Sequence, residues 1–233
     1  MEPQTLALFP LWYAAFLLSL TCHEAAHAWV ARIGGDDTAY HAGQVSLNPW
    51  PHLRREPVGT VVVPLVTYFL SHFMMGWASA PYDPFWEQRH PRRAAAMSIA
   101  GPGANFALFA IAFLALRAGL GGGVWVPSPP GQRLLDQLVS PAAGAPAAAE
   151  AVGRFLSVVF CLNLILGVFN LIPVPPLDGA SVVSGLVSPL RTLYDRARAM
   201  LAMSLVGMLV AWRLAPSLLR PALELAVTFL YGS

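Results

Sequence analysis

Residues 6–29 read LALFPLWYAAFLLSLTCHEAAHAW. From Leu6 to Leu20 the run is almost unbroken apolar side chain, and then His23, Glu24 and His27 fall within five residues of one another. A helix needs roughly 20 apolar residues to cross about 30 Å of hydrocarbon. Here the run extends to Ile33, where Gly34-Gly35 supply the usual punctuation of a helix C-terminus. Leu6 to His23 is 17 steps, about 26 Å at 1.5 Å per residue, so the ionisable cluster sits near one edge of the membrane on the helix that spans it. A charged group at mid-bilayer costs at least about 2.5–3.5 kcal/mol on insertion scales, so a cluster of three marks chemistry.

The rest of the chain agrees with a membrane setting. Of 233 residues, 56% are hydrophobic and only 11% charged, against about 25% charged in ordinary soluble domains. These proportions predict an all-α polytopic membrane protein in contact with lipid, and a single domain over 1–233 with a core at 6–185 and C-terminal helices at 197–231. Every basic residue is Arg, and a net charge of +2 gives no surface for a polyanion, so nucleic acid is excluded as a partner. Cys22 and Cys161 both lie in apolar stretches and read as buried reduced thiols. The first segment has no basic flank and runs straight into the polar cluster, so it reads as a retained helix and not as a cleaved signal.

Further apolar stretches cover Val58–Trp77, Ala94–Leu120, Phe155–Ile172 and Arg198–Leu214, with a short interfacial piece at Leu218–Tyr231, about four to six transmembrane helices in all. Alternation over 38–47 suggests a short β element, and the Gly-, Pro- and Ala-rich stretch 121–151 reads as a mobile loop. Arg54, Arg55, Arg89, Arg92 and Arg93 flank the 58–77 stretch on both sides, and Arg191, Arg196 and Arg198 follow the span at 155–172. The positive-inside rule then puts 32–57, 87–93 and 185–198 in the cytoplasm and 119–153 outside. Both flanks of 58–77 want the same side. That stretch should therefore be a re-entrant segment, bent near Pro64 and covered by protein or a water-filled cavity.

On a helix His23 and His27 share a face with about 5–6 Å between Cβ atoms, which suits two imidazoles on one metal. Catalytic zinc sites use three protein ligands and keep water in the fourth position, and Glu24, one step round the helix, could act on that water as general base. Asp178, His41, His52 and His72 are candidates for the third ligand. Asp178 is favoured. It lies in FNLIPVPPLDGAS (169–181), where Pro173, Pro175 and Pro176 break the third span, and two crossings between His27 and Asp178 would bring all three ligands to one depth.

These residues resemble the site-2 protease family of intramembrane zinc metalloproteases. His23-Glu24-x-x-His27 is similar to its first motif, and Asn170-x-x-Pro173-x-Pro175-x-Leu177-Asp178-Gly179 to its second. AGPGAN (100–105) is similar to its central motif, and NPWPH (48–52) with GWA (76–78) to the short subgroup lacking a PDZ domain. Ser79-Ala80-Pro81-Tyr82-Asp83 departs from the Pro-Val-Pro-like run that the subgroup carries after GWA. The resemblance implies one Zn2+ per chain on His23, His27 and Asp178, Glu24 as catalytic acid/base, and Asn105 and Asn170 as substrate-binding groups near the scissile peptide. It also implies a transmembrane protein or peptide as substrate and an active site near the cytoplasmic side. The alternative is a membrane metal transporter or sensor that uses the same His/His/Asp site and has no need of Glu24 as a base.

Overall fold

The computed structural model describes residues 3–129 and 135–232. Among them, four helices are long and apolar enough to cross a membrane: α1 (Pro3–Ile33), α6 (Pro91–Gly121), α7 (Ala149–Asn170) and α10 (Leu201–Tyr231). Successive spans alternate in direction. The C-terminal end of α1 meets the start of α6, where Arg93 Nη1 donates to Gly34 O at 3.0 Å. The far ends of α6, α7 and α10 gather at the opposite pole, where Trp125 Nε1 donates to Ala149 O at 2.8 Å and Tyr231 OH to Leu138 O at 2.6 Å. Apolar side chains on the outer faces stay exposed, Leu201, Leu209 and Ile111 among them, as lipid contact requires.

Short helices decorate the pole where α1 ends. Two begin where an acceptor side chain precedes proline: Asn48 accepts from Trp50 N at the start of α3 (Pro49–Arg55), and Asp83 from Phe85 N at the start of α5 (Pro84–Arg89). Each side chain satisfies one of the orphan donors of the first turn, and proline fits there because its missing N–H would be unpaired anyway. Asp36 joins these pieces. It accepts from Thr38 N, Thr38 Oγ1 and, 47 residues on, Asp83 N at 2.8 Å. Burial works to raise this carboxyl, but the Thr38 hydroxyl and the two N–H groups outweigh it and hold Asp36 below its ordinary value.

The 58–77 stretch is re-entrant. A π turn (Val58–Val62) leads into α4 (Val63–Ser71), and Trp77 N then bonds Gly59 O at 3.1 Å, so entry and exit lie side by side. Its tip meets the start of α1, with Thr5 Oγ1 3.4 Å from His72 Nδ1 and Tyr68 OH donating to Thr5 O at 2.9 Å. Gly59 to Ser71 rises about 18 Å as helix. The six residues from His72 to Trp77 must cover that return, which at about 3.3–3.6 Å each leaves them nearly fully extended. The wide turn precedes Pro64, whose ring cannot serve a regular ladder. The chain reverses at His72, in the left-handed region with φ of 56°, and not at Pro64 as expected. Phe9 and Trp12 of α1 hold the hairpin through ring contacts with Tyr68, Phe69 and Phe73, and Tyr13 OH donates to Thr60 O at 3.3 Å.

Three other expectations are corrected. Residues 38–47 hold no strand: Asp36 captures Thr38 N and seeds the single turn α2 (Thr38–His41). A two-stranded antiparallel sheet lies instead within 121–151, pairing β1 (Trp125–Pro127) with β2 (Val139–Pro141), so the described part of that loop is ordered. Residues 130–134 of it lie outside the described residues. Finally, 198–231 does not divide at Leu214: α10 continues through Pro216 and Pro221.

Candidate metal centre

Three spans build the site. α1 carries His23, Glu24 and His27 in its last third, all buried. α7 ends at Asn170, and prolines turn the chain through the loop 171–177, whose Ile172 and Leu177 pack on Ala211 of α10. That packing delivers Asp178 as the first residue of α8 (Asp178–Leu186). His23, His27 and Asp178 each offer a ligand atom within 4.8 Å of the others, and among the described residues they form the cluster able to hold a metal ion. The other ligand candidates are elsewhere. His72 is at the tip of the hairpin beside Thr5, His41 is exposed on α2, and His52 is buried in α3 with Nε2 3.2 Å from Ser46 O.

The imidazoles face the centre through one nitrogen each. His23 Nδ1 lies 2.6 Å from Asn105 Oδ1 and His27 Nδ1 lies 2.7 Å from Met97 O, acceptors that put the ring protons on Nδ1. The two Nε2 atoms are 2.9 Å apart, with Asp178 Oδ2 at 3.1 and 3.4 Å from them. Asp178 Oδ2 is buried yet accepts no hydrogen bond.

Three atoms that can each supply a lone pair to a metal thus converge. Their separations are close to the roughly 3.3 Å edge of a tetrahedron with bonds of about 2.0–2.1 Å, so the donor set fits a zinc ion. Gly101 of α6 leaves the room. A Cβ there would stand 2.6 Å from His23 Nε2 and 2.5 Å from His27 Cε1, so any larger residue would occupy the space between the rings.

Of the two asparagines, Asn170 is half-buried at the end of α7, its Nδ2 donating to Leu166 O at 3.0 Å. Asn105 is fully buried behind His23, and Asn105 Nδ2 donates to Asn163 Oδ1 at 2.8 Å. Asn163 in turn donates to Ser19 Oγ and Val159 O, both at 2.8 Å. Sequence reasoning missed Asn163, Ser19 and Gly101. The signal was there for the first two, since a polar residue in an apolar span demands a partner. Gly101 lies within AGPGAN (100–105), a stretch the resemblance marks without giving that glycine a role.

Residues 12–213 match the model of peptidase family M50. YwhC of Bacillus subtilis (strain 168), provisionally named a zinc metalloprotease, is 35% identical over 187 residues, covering 79% of this chain and 72% of the relative. No solved structure matches the chain.

Proposed function

The chain belongs to peptidase family M50, and from that premise we propose that it is a zinc-dependent endopeptidase that cuts peptide bonds within or near transmembrane segments of other membrane proteins. The observation that carries this reading is the convergence of His23 Nε2, His27 Nε2 and the unpartnered Asp178 Oδ2 beside Glu24 of the same helical turn. One zinc per chain would sit on those three atoms. When bound, it supplies a Lewis acid for the scissile carbonyl and a water whose pKa falls towards about 7.

The chain's own residues do the rest. Glu24 takes the proton of the attacking water and delivers it to the leaving nitrogen, so the amine departs neutral. Asn105 and Met97 O keep the two imidazoles aimed. A transmembrane substrate has its amides locked in helical hydrogen bonds and must unwind before attack. Once extended it needs backbone partners, and two non-helical stretches at membrane depth offer them: the proline loop 171–177 and the return strand of the hairpin. Asn170, at the mouth of the proline loop, is the side chain we assign to hold the substrate. Arg54, Arg55, Arg92, Arg93 and Arg191 crowd the same pole, so the site faces the cytoplasm and the released fragment enters it, as regulated intramembrane proteolysis requires.

Glu24→Gln tests the reading in purified, detergent-solubilised protein with a transmembrane peptide. It should keep one zinc and lose cleavage by a factor of about 10²–10⁴. Retained cleavage refutes the role of Glu24, and zinc transport that survives the substitution would favour a carrier over a protease.

A further inference from the structure

The hydrogen bonds behind His23 form a chain with only one consistent direction. Asn163 Nδ2 is 2.8 Å from Val159 O, a backbone carbonyl that can only accept, so this end of the amide must be the NH2. Asn163 Oδ1 is then the acceptor turned towards α6, and the Asn105 atom at 2.8 Å from it must be the donor Nδ2. A second carbonyl gives the same answer, because Ser19 O lies 3.4 Å from Asn105 Nδ2 and would face an oxygen if that amide were reversed. Asn105 Oδ1 is left as an acceptor 2.6 Å from His23 Nδ1, which must therefore carry the ring proton. All members are fully buried except His23, which is 7% exposed, so water offers no alternative partner.

The direction matters because a competitor is close. Asp178 Oδ2 stands 3.1 Å from His23 Nε2 and would draw the ring proton to that nitrogen in the metal-free protein, closing the atom to zinc. His27 has its own fixed acceptor in Met97 O, whereas the acceptor for His23 is a side chain that could rotate.

We propose that Asn163 and Asn105 are positioning residues: anchored on the carbonyls of Val159 and Ser19, they fix His23 as the Nδ1–H tautomer and hold its Nε2 open for the metal before the metal arrives. This rests on reading His23 as a zinc ligand and adds a role for α7, which supplies no ligand atom of its own. Ser19 serves as acceptor for Asn163 while its own hydroxyl donates to Ala15 O at 2.7 Å, so the relay ends on a third backbone carbonyl.

The test reads the tautomer itself, through 15N shifts of His23 in the metal-free, detergent-solubilised protein, together with zinc affinity by competition with a chelator. Wild type should show Nδ1–H. Asn163→Leu removes the acceptor that holds Asn105 and should shift His23 towards Nε2–H and weaken zinc about tenfold, at the lower end of the 10–100-fold effects of outer partners. Asn163→Asp, neutral in this fully buried site, donates its O–H to Val159 O and still accepts from Asn105, so it should restore both readouts, which a purely structural role would not do. The proposal is overturned if Asn163→Leu keeps the wild-type tautomer and affinity, or if Asn163→Asp behaves like Asn163→Leu. Wild-type His23 in the Nε2–H form overturns it without any variant. A wild-type protein that shows Nδ1–H yet binds no zinc would instead remove the metalloprotease reading and leave the relay standing.

Discussion

Gly101→Ala isolates the geometry of the metal centre from the stability of the fold. The added Cβ would stand 2.6 Å from His23 Nε2 and closer still to His27 Nε2, where ordinary contacts begin at 3.4 Å, so the rings must retreat by about 0.8–1.1 Å. Neither ring is free to do so. Retreat stretches the bonds to Asn105 Oδ1 and Met97 O, now 2.6 and 2.7 Å, towards the limit of hydrogen bonding. Losing both at about 1 kcal/mol each gives about 2 kcal/mol, or roughly a 30-fold weaker zinc affinity. Alanine is meanwhile a better helix former than glycine by about 1 kcal/mol, so the metal-free fold loses little net stability. Chelator competition on purified protein measures the affinity, and thermal unfolding without metal measures the fold. Gly103→Ala is the control, two residues along the same helix with nothing within 4 Å of its added Cβ, and it should bind zinc as wild type does. Wild-type affinity in Gly101→Ala would show that zinc does not lie between these two rings.

Three other outcomes follow from the same structure. Asp178→Ala should abolish stoichiometric zinc in metal analysis, since two imidazoles on one helix leave half of a tetrahedral shell to water. Asp36→Asn replaces a carboxylate that accepts three hydrogen bonds and should cost about 1–3 kcal/mol at neutral pH by chemical denaturation. Because the folded value of Asp36 lies below 3.8, its stabilisation is complete above that pH. The difference between wild type and variant should vanish as the pH falls through the lower, folded value. Gly76→Ala puts a Cβ 2.6 Å from Phe16 Cζ and closer still to Gly59 O, where the hairpin's two arms touch, and should destabilise by about 1–3 kcal/mol. Limited proteolysis within 72–83 should accelerate in that variant, and an unchanged cleavage rate would count against the close packing of the two arms.

The parts of the fold that were legible in the sequence are those set by the bilayer. Apolar runs of the right length located α1, α6 and α7, and the Arg residues flanking 58–77 demanded a segment that returns to its own side, which Trp77 N on Gly59 O accomplishes. Rules learned in water misled elsewhere. The division expected between Leu214 and Leu218 does not occur, because in lipid a broken helix exposes backbone carbonyls at several kcal/mol each, and α10 runs on through Pro216 and Pro221. The sheet at 125–127 and 139–141 was invisible because three residues are too few for alternation to register. At 38–47 the alternation was real but weaker than one carboxylate, Asp36, that satisfies the first donor of a helical turn.

The candidate site divides along a similar line. His23, Glu24 and His27 were legible because a helix makes neighbours of residues four apart, and Asp178 because proline ends a span at a depth that can be counted. The relay could not be reached that way. Ser19, Asn105 and Asn163 are polar residues in three different apolar spans, and the cost of burying each says that it has a partner without saying which. Any two of them would make a satisfied pair and explain their own presence as glue between helices. Direction enters only with the third member and with the carbonyls of Val159 and Ser19, whose positions depend on how far α7 and α1 slide past α6. The packing of three helices is therefore what sets which amide atom faces His23 Nδ1.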